Sequence, residues 1–114
     1  MDTNIHAEQR QGAMILRPAF NRLDAAAATG FRQRATELIG DNPLVIVDLA
    51  EVHSVDSSGL GALIALLKAL PPGGRLRLAH ACERVRKILQ LTRLGSVLPA
   101  HDSIDGALGA ASAP

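Results

Sequence analysis

The chain has no tryptophan and no tyrosine, and its only aromatic residues of the Phe, Trp and Tyr types are Phe20 and Phe31. Proteins that bind single-stranded nucleic acid usually stack the bases on aromatic side chains, so this composition argues against that class. The formal net charge of +1 gives no general attraction for a polyanion or a membrane surface. We therefore expect no nucleic-acid partner and no membrane partner.

Cysteine and long apolar runs are also scarce. The single cysteine, Cys82, cannot form a disulfide within the chain, which is typical of a reducing compartment. The longest apolar run, residues 60–67, is far shorter than the ~20 residues of a membrane-spanning helix. Residues 1–4 have no basic or apolar segment of a secretory signal, so we expect a cytoplasmic protein. The four histidines lack metal-ligand spacing, and we expect neither a metal nor a cofactor.

The hydrophobic pattern alternates between strands and helices over one domain, residues 1–114. Strands are predicted within 1–12, at 13–16, at 44–49, around 75–78 and at 97–98. Helices are predicted at 24–39, 60–70 and 83–93, and a weaker one follows Asp102 or Ser103 and ends near Leu108. Strands that alternate with helices indicate an α/β protein with one mostly parallel mixed sheet of four to five strands and about four helices. Residues 109–114 are expected to form a disordered tail.

One turn, Asp56-Ser57-Ser58-Gly59, lies between the predicted strand at 44–49 and the helix at 60–70. Sites of open α/β sheets lie beyond the carboxyl ends of strands. Asp56 or Ser57 would cap the helix, because an oxygen of either side chain can accept a bond from the first free amides. Gly59 and Gly61 have no side chain, so another surface could approach the first turn closely. The residues alone leave open whether this turn is a plain cap or a functional site.

The sequence around this turn resembles a known family. Val47-Asp48-Leu49, then six residues, then Asp56-Ser57-Ser58-Gly59-Leu60-Gly61 and an aliphatic helix resemble the anti-sigma factor antagonist branch of the STAS domain family. Arg22-Leu23-Asp24 stands where that family has an acidic residue before its first helix. The sequence departs from the family at Asn21, where many members have glycine, and at Pro18, which interrupts the second strand.

The resemblance implies regulation by partner switching. The unphosphorylated protein would bind an anti-sigma factor that has a GHKL-type serine kinase domain, and would thereby free a sigma factor or another client. The kinase would phosphorylate Ser57, with Ser58 as the alternative acceptor, and a metal-dependent serine phosphatase would reverse the modification. The chain would be a substrate and not an enzyme, and we expect a monomer. The partner-binding residues would be Asp24, Asp56, Ser57, Ser58, Gly59, Leu60, Gly61 and Ala62.

Other functions are alternatives to partner switching. A hydrolase with Ser57 as nucleophile lacks the Gly-x-Ser-x-Gly pattern, and the nearby His53 and Asp56 need not meet Ser57 in triad geometry. Nucleotide binding at the helix N-terminus lacks a glycine-rich phosphate loop. Some STAS domains are nonphosphorylated scaffolds of lipid-transport or stressosome-type complexes, but the intact Asp-Ser-Ser-Gly string favours switching. A basic cluster forms either a solvated face or a contact for an acidic partner, and it comprises Arg75, Arg77, Arg84, Arg86 and Lys87.

Overall fold

Seven strands and four helices make up the described part of the chain. The computed structural model describes residues 4–10 and 12–112. In chain order, the elements are β1 (Ile5–Arg10), β2 (Ala13–Pro18), β3 (Arg22–Leu23), α1 (Ala25–Ile39), β4 (Leu44–Asp48), β5 (Ser54–Val55), α2 (Ser57–Lys68), β6 (Arg75–Ala79), α3 (Glu83–Leu91), β7 (Ala100–His101) and α4 (Ile104–Ser112).

Five of these strands form one mixed sheet in the order β1-β2-β4-β6-β7. Only the β1–β2 pair is antiparallel, and the other three pairs are parallel. The predicted fold class is therefore confirmed, both in the mostly parallel sheet and in the four helices. All five residues of β4 are buried, as expected for a central strand whose run of aliphatic residues is covered on both faces.

The two faces of the sheet have different covers. Val45 and Val47 of β4 point into the larger core, which they share with residues of α1, α2 and α3. Leu44 and Ile46 alternate with them and point into a smaller core, which includes Ala107 of α4. Because side chains alternate along a strand, three helices cover one face and α4 covers the other. None of the helices at 25–39, 57–68, 83–91 and 104–112 is long and apolar enough to cross a bilayer.

A separate two-stranded parallel ladder joins β3 to β5 and was not predicted. Arg22 pairs with Ser54, and Leu23 pairs with Val55. The backbone N–H of His53 also donates to the Asn21 carbonyl at 2.7 Å. A ladder of two residues per strand is too short to produce an alternation that can be recognised in a sequence. It matters here because each of its strands leads directly into a helix.

The C-terminal part of the chain corrects two predictions. The strand predicted at Val97–Leu98 is wrong, because both N–H groups donate to the Leu94 carbonyl in a turn and the last strand lies at Ala100–His101. The disordered tail predicted at 109–114 is also wrong as far as Ser112, which ends α4, while residues 113 and 114 lie outside the described residues. Ser103 does cap this helix, since its Oγ accepts the Gly106 N–H at 2.9 Å.

The larger core predicts a clear contrast between two apolar residues. Phe31 is fully buried, and its ring packs edge-on against Phe20 with 6.4 Å between the ring centroids. Phe31→Ala should lower the free energy of unfolding by about 3–5 kcal/mol, because it leaves a cavity in the core. Leu91→Ala is the control, since Leu91 is 76% exposed and should change this free energy by less than about 0.5 kcal/mol. Urea unfolding followed by circular dichroism measures both values, and equal effects would contradict this description of the core.

Candidate functional site

Two helices begin side by side at one edge of the molecule. The β3–β5 ladder sets Leu23 beside Val55, and the residue that follows each strand is an aspartate that caps a helix. Asp24 thus starts α1 and Asp56 starts α2, and the two helices pack against each other. The short ladder therefore brings Asp24 and the Asp56-Ser57-Ser58-Gly59 turn to the same edge.

Both aspartates cap through their side chains. The Asp24 carboxylate accepts the N–H groups of Ala26 and Ala27 at 3.1 and 3.2 Å. The Asp56 carboxylate accepts the N–H of Gly59 at 3.0 Å. Both aspartates have extended backbone conformations, as N-cap residues usually do. The sequence left Asp56 and Ser57 as alternative caps of α2, and the cap is Asp56, with Ser57 as the first helical residue.

The side chains of the turn face solvent. Asp56, Ser57 and Ser58 are all exposed, and Asp24 is half-buried. The first turn of α2 also carries backbone N–H groups without helical partners and the positive end of the helix dipole. The Asp56 carboxylate offsets part of that positive potential. The result is a polar, accessible turn that carries two hydroxyl groups next to a carboxylate.

The two glycines of this helix have different environments. A Cβ on Gly59 would overlap the Leu23 carbonyl oxygen and lie 2.8 Å from a methyl carbon of Val55. The expectation that Gly59 admits an outside surface is therefore wrong, because the space beside it holds the chain's own β3 strand. Gly61 has no atom within 4 Å of its Cβ position and is open. Leu60 and Ala62 are 7% and 4% exposed and belong to the larger core.

A groove of about 340 Å³ runs between α1 and α2 beside the turn. We call it the α1–α2 groove. Its walls are mostly small side chains, and they include one cation, Arg32, and one of the two hydroxyl groups, that of Ser58. Ser57 is not among the lining residues. Those from α1 include Ala28, Thr29 and Arg32, and those from α2 are Ser58, Gly61 and Ala62.

The predicted basic cluster is not a single surface. Arg75 and Arg77 alternate along β6 with Leu76 and Leu78, whose side chains lie in the core beneath α3. The arginines therefore belong to the opposite face of the sheet from Arg84 and Lys87, which are exposed on α3. Burial, together with the neighbouring charge of Arg75, lowers the pKa of the Arg77 guanidinium from its ordinary value. Arg86 on α3 donates to the Asp102 carboxylate at 2.7 Å.

One polar contact at the ends of β4 and β6 was not predicted. Asp48 is the only buried charged residue in the described part of the chain. Its carboxylate accepts the Ala50 N–H at 3.0 Å and lies 2.9 Å from Nδ1 of His80, whose φ of 58° is left-handed. The sequence did contain an indication of this contact, since Asp48 is a charged residue in an otherwise apolar strand. Within residues 4–10 and 12–112, no three His, Cys, Asp or Glu side chains are grouped so that they could hold a metal ion.

The two glycines of α2 predict stability changes of opposite sign. Gly59→Ala should lower the free energy of unfolding by about 1–3 kcal/mol, because the new methyl group overlaps the backbone of β3. Gly61→Ala should raise it by about 0.5–1 kcal/mol, because alanine costs less backbone entropy in a helix and the position is open. Urea unfolding of both variants measures the difference. A destabilised Gly61→Ala, or a Gly59→Ala as stable as the original chain, would contradict this packing of α2.

Comparison with known proteins gives a consistent set of relatives. The STAS domain family matches residues 4–107. A protein of Thermotoga neapolitana whose name is anti-sigma factor antagonist is 36% identical over 70 residues, which are 60% of this chain and 61% of that protein. The chain thus spans about 61% of the length of the curated relatives it matches.

Solved structures have the same fold. The crystal structure of a Thermotoga maritima protein with the same designation is 24% identical, with a TM-score of 0.85 over 93% of this chain and 92% of that one. The unphosphorylated anti-sigma factor antagonist SpoIIAA is 22% identical, with a TM-score of 0.66 over 90% of this chain and 91% of that one. The phosphorylated form of SpoIIAA, from Bacillus, is 20% identical, with a TM-score of 0.65 over 95% of this chain and 99% of that one. With the family match covering residues 4–107 and the mixed sheet in common, the chain belongs to the STAS domain family.

Proposed function

We propose that this protein is an anti-sigma factor antagonist that works by partner switching. The unphosphorylated form binds an anti-sigma factor with a GHKL-type serine kinase domain, and the client of that factor is released. The kinase phosphorylates Ser57, the complex separates, and a metal-dependent serine phosphatase restores the binding form. The observation that carries this proposal is the exposed turn in which Ser57 directly follows the capping aspartate, Asp56.

The position of Ser57 suits a phosphate acceptor. Ser57 is exposed at the first position of α2, so a kinase can reach its hydroxyl group without unfolding the helix. Ser58, the alternative acceptor, is also exposed, but it lines the α1–α2 groove. The open surroundings of Ser57 favour it as the acceptor.

The charges at this edge explain how phosphorylation would separate a complex. A phosphoserine adds roughly −1.5 to −2 charges at neutral pH. On Ser57 it would follow Asp56 directly, at the edge where Asp24 caps the neighbouring helix. A partner that fits two carboxylates then meets much more negative charge, and a like-charge contact in an interface costs several kcal/mol.

The fold itself tolerates the modification. A helix N-terminus favours negative charge, because unpaired N–H groups and the positive end of the dipole face it. Ser57 lies in that first turn, and its exposed side chain packs in no core cluster. The phosphate therefore acts on the interface and leaves the folded chain intact.

The relatives support this function by their names. The two Thermotoga relatives are named as anti-sigma factor antagonists, and SpoIIAA is known in an unphosphorylated and a phosphorylated form. A protein of this fold can thus carry the modification that we propose for Ser57.

In this proposal the chain is the substrate of the kinase and of the phosphatase, and it catalyses neither reaction. A serine nucleophile needs a base within hydrogen-bond reach of its hydroxyl group. In the described part of the chain, the Asp56 carboxylate accepts the Gly59 N–H instead, and no histidine is hydrogen-bonded to Ser57. This geometry favours a binding protein over a hydrolase.

The test is a reconstitution with the purified anti-sigma factor kinase and ATP. Phosphopeptide mass spectrometry should find the phosphate on Ser57, and Ser57→Ala should bind the kinase as tightly as the original chain without being modified. Ser57→Glu should bind at least 10-fold more weakly, because it places a permanent charge next to Asp56. The matched control is Ser58→Ala, which should still be phosphorylated at Ser57. Equal affinities for the original chain, Ser57→Ala and Ser57→Glu, with no phosphate on either serine, would contradict switching and favour the scaffold alternative.

A further inference from the structure

The α1–α2 groove has a chemistry of its own beside the switch turn. It is an open groove with a volume of about 340 Å³. Gly61 forms part of its wall and has no atom within 4 Å of its Cβ position, while Ala28 and Ala62 contribute only methyl groups. The groove can therefore accept a side chain from another molecule.

Arg32 is the only charged side chain among the described residues that line this groove. Within the described part of the chain, its guanidinium group has no hydrogen-bond or ion-pair partner, and the one side-chain hydrogen bond made to this residue comes from the Thr36 hydroxyl, which donates to its backbone carbonyl. Arg34, two residues further along the same helix, instead donates to Glu37 at 3.2 Å. Both arginines are exposed, but Arg34 is paired with Glu37, whereas Arg32 lines the groove and its guanidinium group remains open to a partner from outside.

An unpaired guanidinium group selects the chemistry of its partner. It has only N–H donors and a permanent positive charge, and its planar fork matches a carboxylate with two parallel hydrogen bonds. Such charge-assisted bonds are the strongest that side chains form. A carboxylate therefore pairs with the guanidinium group in this groove better than a neutral group does.

The groove is continuous with the switch turn. Ser58, which lines the groove, directly follows Ser57, and Gly61 lies one helical turn further along α2. In a helix, side chains lean toward the N-terminus, so Arg32 reaches back along α1 toward the edge where both helices begin. A protein that docks on Ser57 therefore covers the mouth of the groove as well.

We propose that the α1–α2 groove receives an Asp or Glu side chain of the anti-sigma factor kinase, and that Arg32 pairs with its carboxylate. This inference rests on the proposed function, because it names a contact of the same partner. The docking surface then carries both signs of charge, with carboxylates at the helix starts and one guanidinium group in the groove. That arrangement specifies the orientation in which a partner docks, since a rotated partner would place its acidic side chain against Asp24 or Asp56.

The test measures binding to the kinase that phosphorylates Ser57, without ATP, by isothermal titration calorimetry. Arg32→Ala should bind at least 10-fold more weakly and Arg32→Glu at least 100-fold more weakly, while the matched control Arg34→Ala stays within twofold. Thr29→Glu, which places a carboxylate in the groove within reach of Arg32, should also weaken binding at least 10-fold, whereas Thr29→Gln should have a much smaller effect. Circular dichroism and urea unfolding show that each variant is folded.

The outcomes separate this inference from the proposed function. If Arg32→Ala binds within twofold of the original chain while Ser57→Glu loses binding, the groove inference is overturned and the switch stands. If Arg32→Ala and Arg34→Ala weaken binding to the kinase by the same factor, the loss comes from the change in net charge and not from a contact in the groove. The groove inference is then also overturned. If Ser57→Glu binds as tightly as the original chain, the proposed function itself fails.

Discussion

The backbone carbonyl of Leu23 lies where β3, which leads into α1, meets the first turn of α2. It accepts the Asp56 N–H at 3.3 Å and occupies the space next to Gly59 that a side chain would need. This close approach presses the first turn of α2 against β3, and the β3–β5 ladder continues the contact into the core through Leu23 and Val55. The common edge of both helices, the outward position of Ser57 and the α1–α2 groove all depend on it.

In the proposed function, the same local structure serves stability and regulation. Asp56 caps α2 through its carboxylate, and the capped turn presents Ser57 to solvent at the position where a helix best tolerates negative charge. A phosphate there would add charge to the docking surface without entering either core. A cap and the proposed switch are therefore not competing interpretations of the turn, because the Asp56 cap would hold the phosphorylated residue in place.

The sequence was sufficient for the features that depend on local pattern. The aliphatic run at β4 and the alternation of strands with helices predicted the sheet, and Asp56 before a glycine-containing helix predicted a capped turn. The direction that Gly59 faces could not be predicted, since it depends on the close approach of Leu23 in β3, which is distant in the sequence. The strand predicted at Val97–Leu98 was wrong for a similar reason. An apolar residue such as Leu98 can enter the core from a turn, so its burial does not require a strand. Arg75 and Arg77 are near Arg84 in sequence but lie on the other face of the sheet.

In the proposed function, phosphorylation of Ser57 breaks an interface and not the fold. The most direct measurement uses protein phosphorylated fully at Ser57, and compares its free energy of unfolding and its affinity for the kinase with those of the unmodified protein. We expect the affinity to fall at least 100-fold, while the free energy of unfolding changes by less than about 1 kcal/mol, since charge in the first turn of a helix has effects of that size. Unchanged affinity, or a loss of binding that merely follows unfolding of α2, would contradict the account.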